Sequence, residues 1–151
     1  MPRIDIALHV DAPREVCFDL ARSIDAHLQS TAATGERVVA GKMSGLLELG
    51  DEVTWRARHL GVWQELSSRI TAYDRPSHFR DTMQRGAFSW FEHDHFFTVE
   101  GDGTLCRDVF EYEAPLGPLG RIAERLFLTT YMRRFLHARL MVLKELAESH
   151  R

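Results

Sequence analysis

The sequence predicts an α+β fold in which a curved antiparallel sheet of about six to seven strands wraps around one long C-terminal helix. Three observations predict it. Apolar and polar residues alternate, with short turns between the runs, through most of the chain as far as Tyr112. The last third has no helix breaker beyond a Pro-Gly connector and carries an apolar stripe at helical spacing. A short helical stretch interrupts the strands directly after the first of them. The long stripe has to be buried, and the sheet is the only surface large enough to cover it. A sheet curved around a helix leaves space between them, and such spaces bind small molecules.

The elements follow in order. Ile4, Ile6, Leu8 and Val10 alternate with polar or small residues, which predicts a strand over about residues 3–10. Asp11-Ala12-Pro13-Arg14-Glu15 is a helix start, with proline where no donor is needed and an acid near the N-terminus. Val16, Phe18, Leu20, Ala21, Ile24 and Leu28 suit one short helix or two, with a break near Arg22-Ser23. Strands are expected at about 37–40, 51–59, 62–72, 78–85, 88–99 and 105–112. Gly61, Asp74-Arg75-Pro76, Gly86 and Gly101-Asp102-Gly103 mark the turns. Pro115-Leu116-Gly117-Pro118-Leu119-Gly120 is a stiff connector, and an uninterrupted helix is expected from there to about Glu148. Its stripe is Leu128, Met132, Phe135, Arg139, Val142 and Leu146, widened by Leu136 and Leu143.

The chain has 151 residues, which predicts one domain spanning 1–151. Hydrophobic residues are 44% and charged residues 27%, an ordinary globular balance that excludes disorder as the main state. A net charge of −3 argues against a nucleic-acid partner. No apolar run reaches the roughly 18 residues of a membrane span, so no stable membrane insertion is expected. The opening residues alternate apolar and charged types, unlike a secretory signal. Cys17 and Cys106 form no CxxC pair and are expected to be buried, reduced thiols in a cytoplasmic protein. Of the 19 basic residues only Lys42 and Lys144 are lysine, and asparagine is absent, a codon bias of GC-rich, bacterial genomes. Arg121, Arg125, Arg133 and Arg134 share the C-terminal helix with glutamates and are expected to be a solvated face. There is no Walker loop, GxGxxG, HExxH or GxSxG, so nucleotide binding and serine-hydrolase chemistry are unsupported.

Three segments carry a resemblance: Val10-Asp11-Ala12-Pro13-Arg14-Glu15-Val16-Cys17-Phe18, then Gly86 to Phe97 through His93-Asp94-His95, then Gly103-Thr104 leading to Asp108-Val109-Phe110-Glu111-Tyr112 and Pro115-Leu116-Gly117. With the element order, they make the chain resemble the START-like, helix-grip superfamily, also called SRPBCC, and within it the polyketide cyclase/dehydrase-like bacterial branch. The resemblance implies a deep cavity between sheet and helix. It implies no single chemistry, since lipid carriers, hormone receptors, cyclases and oxygenase domains share the fold.

His93 and His95 lie two apart on a predicted strand and share a face with Phe91 and Phe97. Two imidazoles on one face could ligate a metal if His59 or Asp81 supplied a third ligand. The commoner role is hydrogen bonding, and neither metal nor cofactor is expected. Trp90 and Phe96 fall on the opposite face, where exposure would make a homodimer interface. Asp81 alternates with Phe79 and Met83, and Asp108 with Cys106, Phe110 and Tyr112, so both aspartates are expected inside. A buried carboxylate needs a partner, here the histidines or Arg139. His93, His95 and Asp108 are the catalytic candidates for enolisation or cyclisation, against the bland role of a buried network that fixes register. Arg139 interrupts the helix stripe and is expected at the rim or in an internal ion pair. Trp55 could stack on a flat ligand, although core packing is its commoner fate. The expected ligand-contacting set is therefore Trp55, His59, Asp81, Met83, Phe91, His93, His95, Phe97, Asp108, Phe110, Met132, Phe135 and Arg139. The expected function is binding of a lipid-, isoprenoid- or polyketide-like small molecule. A cyclase/dehydratase using the His–Asp cluster is the first alternative, and an interaction protein with a collapsed cavity the second.

Overall fold

The computed structural model describes residues 2–149; positions 1, 150 and 151 of the expected 1–151 domain lie outside the described residues. Alternation along the chain becomes seven strands: β1 (Arg3–Val10), β2 (Arg37–Gly41), β3 (Glu52–His59), β4 (Val62–Asp74), β5 (His78–Arg85), β6 (Trp90–Glu100) and β7 (Gly103–Glu113). They form one sheet in the order β1-β7-β6-β5-β4-β3-β2, and every neighbouring pair is antiparallel. Strands β2 to β7 are a meander, and β1 closes the far edge against β7. Register breaks in β4 at Ser67/Ser68 and Ile70/Ala72, and between Val38 and Ala40 in β2, bend the sheet. The pairing of β5 with β6 runs only from His78–Phe96 to Thr82–Glu92, so the sheet parts beyond Thr82.

The helical stretch after β1 is two helices, α1 (Arg14–Ala21) and α2 (Ile24–Ser30). The break falls at Arg22-Ser23 because the Ser23 hydroxyl accepts the backbone N–H of Ala26 at 3.2 Å and starts the second helix. The C-terminal helix departs from the expected uninterrupted rod. It is α3 (Pro118–Ala123), a π-helical turn (Glu124–Leu128) and α4 (Thr129–Glu148). Glu124 is buried, and its carboxylate accepts the backbone N–H of Ala114 at 2.7 Å. That bond ties the helix start to the end of β7, and the π turn absorbs the mismatch.

The expected stripe is corrected as well. The buried residues of α4 are Met132, Leu136, Leu140 and Ala147, while Phe135, Arg139, Val142 and Leu146 are half-buried. The helix packs on β1 and against α1 and α2, and that three-sided seat selects a seam rotated from the heptad line. The rotation turns Phe135 and Arg139 toward the open space beside the sheet.

The core has three parts. Phe18 of α1 meets Tyr73, Phe79 and Phe97 edge-on at 5.3–5.5 Å between ring centres, beneath Leu140 and Ala147. Ile4, Phe91, Phe110 and Tyr112 pack under Met132 and Leu136. Ile24, Val53 and Trp55 form a smaller group under α2. Cys17 and Cys106 are buried free thiols. Among the described residues no helix is long and apolar enough to cross a membrane.

Candidate functional site

Between the concave sheet and α4 lies a continuous cavity of about 290 Å³. Exposed Leu60, Ala87 and Pro115 rim it, and Leu66, Phe88, Phe91, Phe110, Leu128 and Met132 make an apolar portion. The space between sheet and helix is open rather than collapsed. Of the expected ligand-contacting residues, Trp55, His59, Asp81, Phe91, His93, His95, Phe110, Met132, Phe135 and Arg139 line this space. Three do not. Phe97 belongs to the core under α1, because α1 covers that end of β6. Met83 packs against the Phe91–Phe110–Tyr112 core, where β5 leaves β6. Asp108 sits behind the histidines and borders a small secondary recess instead.

The sheet wall holds the charged cluster. Antiparallel register puts Asp81 opposite His93, and His95 opposite Asp108. His95 is clamped between two carboxylates: its Nε2 is 3.1 Å from Asp81 Oδ2 and its Nδ1 is 3.2 Å from Asp108 Oδ1. The Phe79 ring stacks on it at 4.3 Å. Burial favours the neutral ring, but the charges and hydrogen bonds of Asp108 and Asp81 overcome burial and push its pKa up to about 9. Burial would raise both carboxyls, yet the adjacent imidazolium holds Asp81 and Asp108 below the usual carboxylate range. His93 is the opposite case. Burial and the neighbouring His95 charge lower its pKa, so it is neutral. Its Nε2 is 3.7 Å from Asp108 Oδ2, too far for a hydrogen bond, and makes no hydrogen bond among the described residues. One ligand atom each from Asp81, His93 and His95 lies within 4.8 Å of the other two. His59, the alternative third ligand, is turned to the Tyr131 hydroxyl at 2.7 Å.

The other wall carries a second polar group, of which only Arg139 is among the residues expected from the sequence. Arg139 donates from Nη2 to His27 Nδ1 at 2.8 Å, and the other ring nitrogen of His27 donates to Glu36 Oε1 at 2.6 Å. Arg139 is therefore in the cavity wall rather than at the rim, and among the described residues it forms no ion pair with a carboxylate, because the rotated seam aims its stem inward. Since Nδ1 accepts from a guanidinium, His27 is neutral. Burial and the Arg139 charge both lower its pKa. The Trp55 ring stacks on His27 at 4.0 Å, so its flat face is already covered on that side. A hint of His27 existed, since it lies three residues after Ile24 on the inner face of α2. Nothing local marked Glu36. Outside the sheet, Phe96 is covered by His78 at 4.7 Å and by Arg107, and Trp90 is half-buried. Arg121, Arg125, Arg133 and Arg134 are exposed.

No protein-family model and no curated protein matches the sequence. Solved structures do match in shape. A protein of Thermus thermophilus superposes with a TM-score of 0.78 at 20% identity, covering 95% of each chain. Ginseng major latex-like protein 151 from Panax ginseng gives 0.72 at 15% identity over 97% of each chain. A START superfamily protein from Mycobacterium smegmatis gives 0.73 at 12% identity over 99% of each chain. A sheet of seven antiparallel strands closed around a C-terminal helix, matched over nearly its whole length by these structures, is the START-like helix-grip fold.

Proposed function

We propose that the protein binds a hydrophobic or amphipathic small molecule, of the lipid, isoprenoid or polyketide kind, in the cavity between sheet and C-terminal helix. The observation that carries this is the open space of about 290 Å³ with an apolar portion and a wall of buried polar groups. Apolar burial supplies the affinity, at about 25 cal/mol per Å² before ordering costs. The polar groups orient the molecule, and the protein works in the cytoplasm as a soluble carrier or receptor. The test is titration with the amphipathic fluorophore 1-anilinonaphthalene-8-sulfonate, followed by native mass spectrometry of gently purified protein. One probe per chain is expected. Ala57 is buried on β3 and lines the cavity. Filling the space with Ala57→Phe is expected to weaken the probe by about tenfold or more, the effect of roughly 1.4 kcal/mol. Unchanged binding in that variant rejects the cavity as the site.

One observation favours a catalytic reading beside the carrier. The chain Asp108–His95–Asp81 runs from the buried interior to the cavity wall, as an acid–base group needs. In that case His95 and Asp81 move a proton on a carbonyl substrate, as in enolisation within a cyclase or dehydratase. Deuterium exchange at the acidic carbon of a β-keto thioester, followed by NMR, measures this. Acceleration that disappears in His95→Gln supports catalysis, and exchange at the buffer rate leaves the carrier alone.

A further inference from the structure

We propose that Asp81, His93 and His95 form a divalent transition-metal site opening on the cavity, with Asp108 orienting the His95 imidazole from behind. Strand register builds the site. Asp81 stands opposite His93, His95 follows two residues on along the same face, and all three line the cavity. Asp108 stands opposite His95 on the next strand and does not line it.

The donor atoms are close to what a metal needs. Ligands at about 2.0–2.2 Å from an ion lie roughly 3–3.5 Å from one another. His95 Nε2 and Asp81 Oδ2 are already 3.1 Å apart. The third donor comes from His93, whose ring lies 3.9 Å from that of His95, and all three ligand atoms fit within 4.8 Å. A swing of His93 by about 1 Å closes the triangle. His93 is 3% exposed and its Nε2 makes no hydrogen bond among the described residues, an unusual cost for a buried imidazole that serves packing alone.

The surroundings fit as well. Metal-bound histidines commonly give their other ring N–H to a carboxylate, which fixes the tautomer. Asp108 serves that purpose for His95, at 3.2 Å from Nδ1. Metal binding displaces the His95 proton to solvent, and the two carboxylates and two neutral imidazoles then carry two negative charges, which one divalent ion neutralises. Across the cavity, Arg139 and Glu36 are linked through His27 and offset each other. Two nitrogens and one oxygen on a single wall leave the remaining coordination positions facing the cavity. That donor set suits zinc, iron(II) or cobalt(II) with open sites for water or a chelating oxygen ligand.

The experiment uses the full chain, stripped with a chelator and titrated with cobalt(II) alone, read by visible d–d absorption and calorimetry. One ion per chain is expected. Asp81→Asn and His93→Gln are expected to weaken it by about 100-fold or more, and Asp108→Asn by about 10- to 100-fold. His9→Gln, at an exposed histidine, is expected to change nothing. X-ray absorption of the wild-type zinc protein gives a second readout that needs no variant, with two imidazoles per ion expected. Absence of one-to-one binding, binding unaltered by Asp81→Asn, loss through His9→Gln, or a shell without two imidazoles each overturns the site. The probe is the metal alone, so such a failure leaves the small-molecule reading standing.

Discussion

Two histidines line the cavity on different walls, and they differ in charge. His95 on β6 lies between Asp81 and Asp108 and keeps its proton up to about pH 9. His27 on α2 accepts from Arg139 and donates to Glu36, and stays neutral. Burial acts on both in the same direction, against the imidazolium. The sign of the neighbours decides, since two carboxylates outweigh desolvation and an arginine adds to it. The sheet wall therefore holds a proton between two carboxylates, and in the helix wall a neutral imidazole bridges an arginine and a glutamate.

The largest expected effect comes from breaking the sheet wall. Asp108→Ala leaves a buried imidazolium with one carboxylate, and a loss of about 3–5 kcal/mol is expected by urea unfolding. Asp108→Asn keeps the shape and should cost less. A loss below about 1 kcal/mol for the alanine variant would mean that His95 is neutral.

Stability against pH sharpens the contrast, because the two histidines bend it in opposite directions. In metal-stripped protein the folded pKa of His95 is about 9, above the ordinary 6.5. Its contribution is complete below 6.5 and is lost as pH rises through 9. His27 has a folded pKa lowered from 6.5. Its contribution is complete above 6.5 and is lost as pH falls below that value. Melting temperature is expected to drop by more than about 5 °C between about pH 7 and 9.5, with His95→Gln flattening that limb and His27→Gln reducing the acid one, to which His93 also contributes. A flat alkaline limb in the wild type refutes the charged His95.

A smaller effect is expected at the helix wall. Arg139→Met keeps much of the stem's packing and removes the donor to His27, at a cost of about 1 kcal/mol. With the guanidinium gone, the His27 pKa rises, which a histidine NMR titration reads directly. An unchanged titration would show that the Arg139–His27 bond does not form in solution.

Much of the sheet wall is legible from spacing. Period-two alternation puts His93 and His95 on one face, and turns both Asp81 and Asp108 inward. That Asp108 lies behind His95 rather than in the cavity is not legible, because register across two strands depends on where the Gly101–Asp102 turn closes. The helix wall was almost invisible. His27 and Glu36 are nine residues apart and meet Arg139 more than a hundred residues later. Phe97 shared the histidines' phase, and only the position of α1 over the end of β6 decided that it is core.

The sequence by itself determined the strands, the turn positions, where a break in the first helical stretch would fall and which side chains share a face, because these depend on backbone periodicity and local hydrogen bonds. Tertiary structure decided the rest. It inserted the π turn where Glu124 caps Ala114, and it rotated the seam of α4 so that Arg139 enters the cavity. It also set the charge on each histidine. Helix seating and ionisation depend on which distant groups share a low-dielectric space, and no local pattern encodes that company.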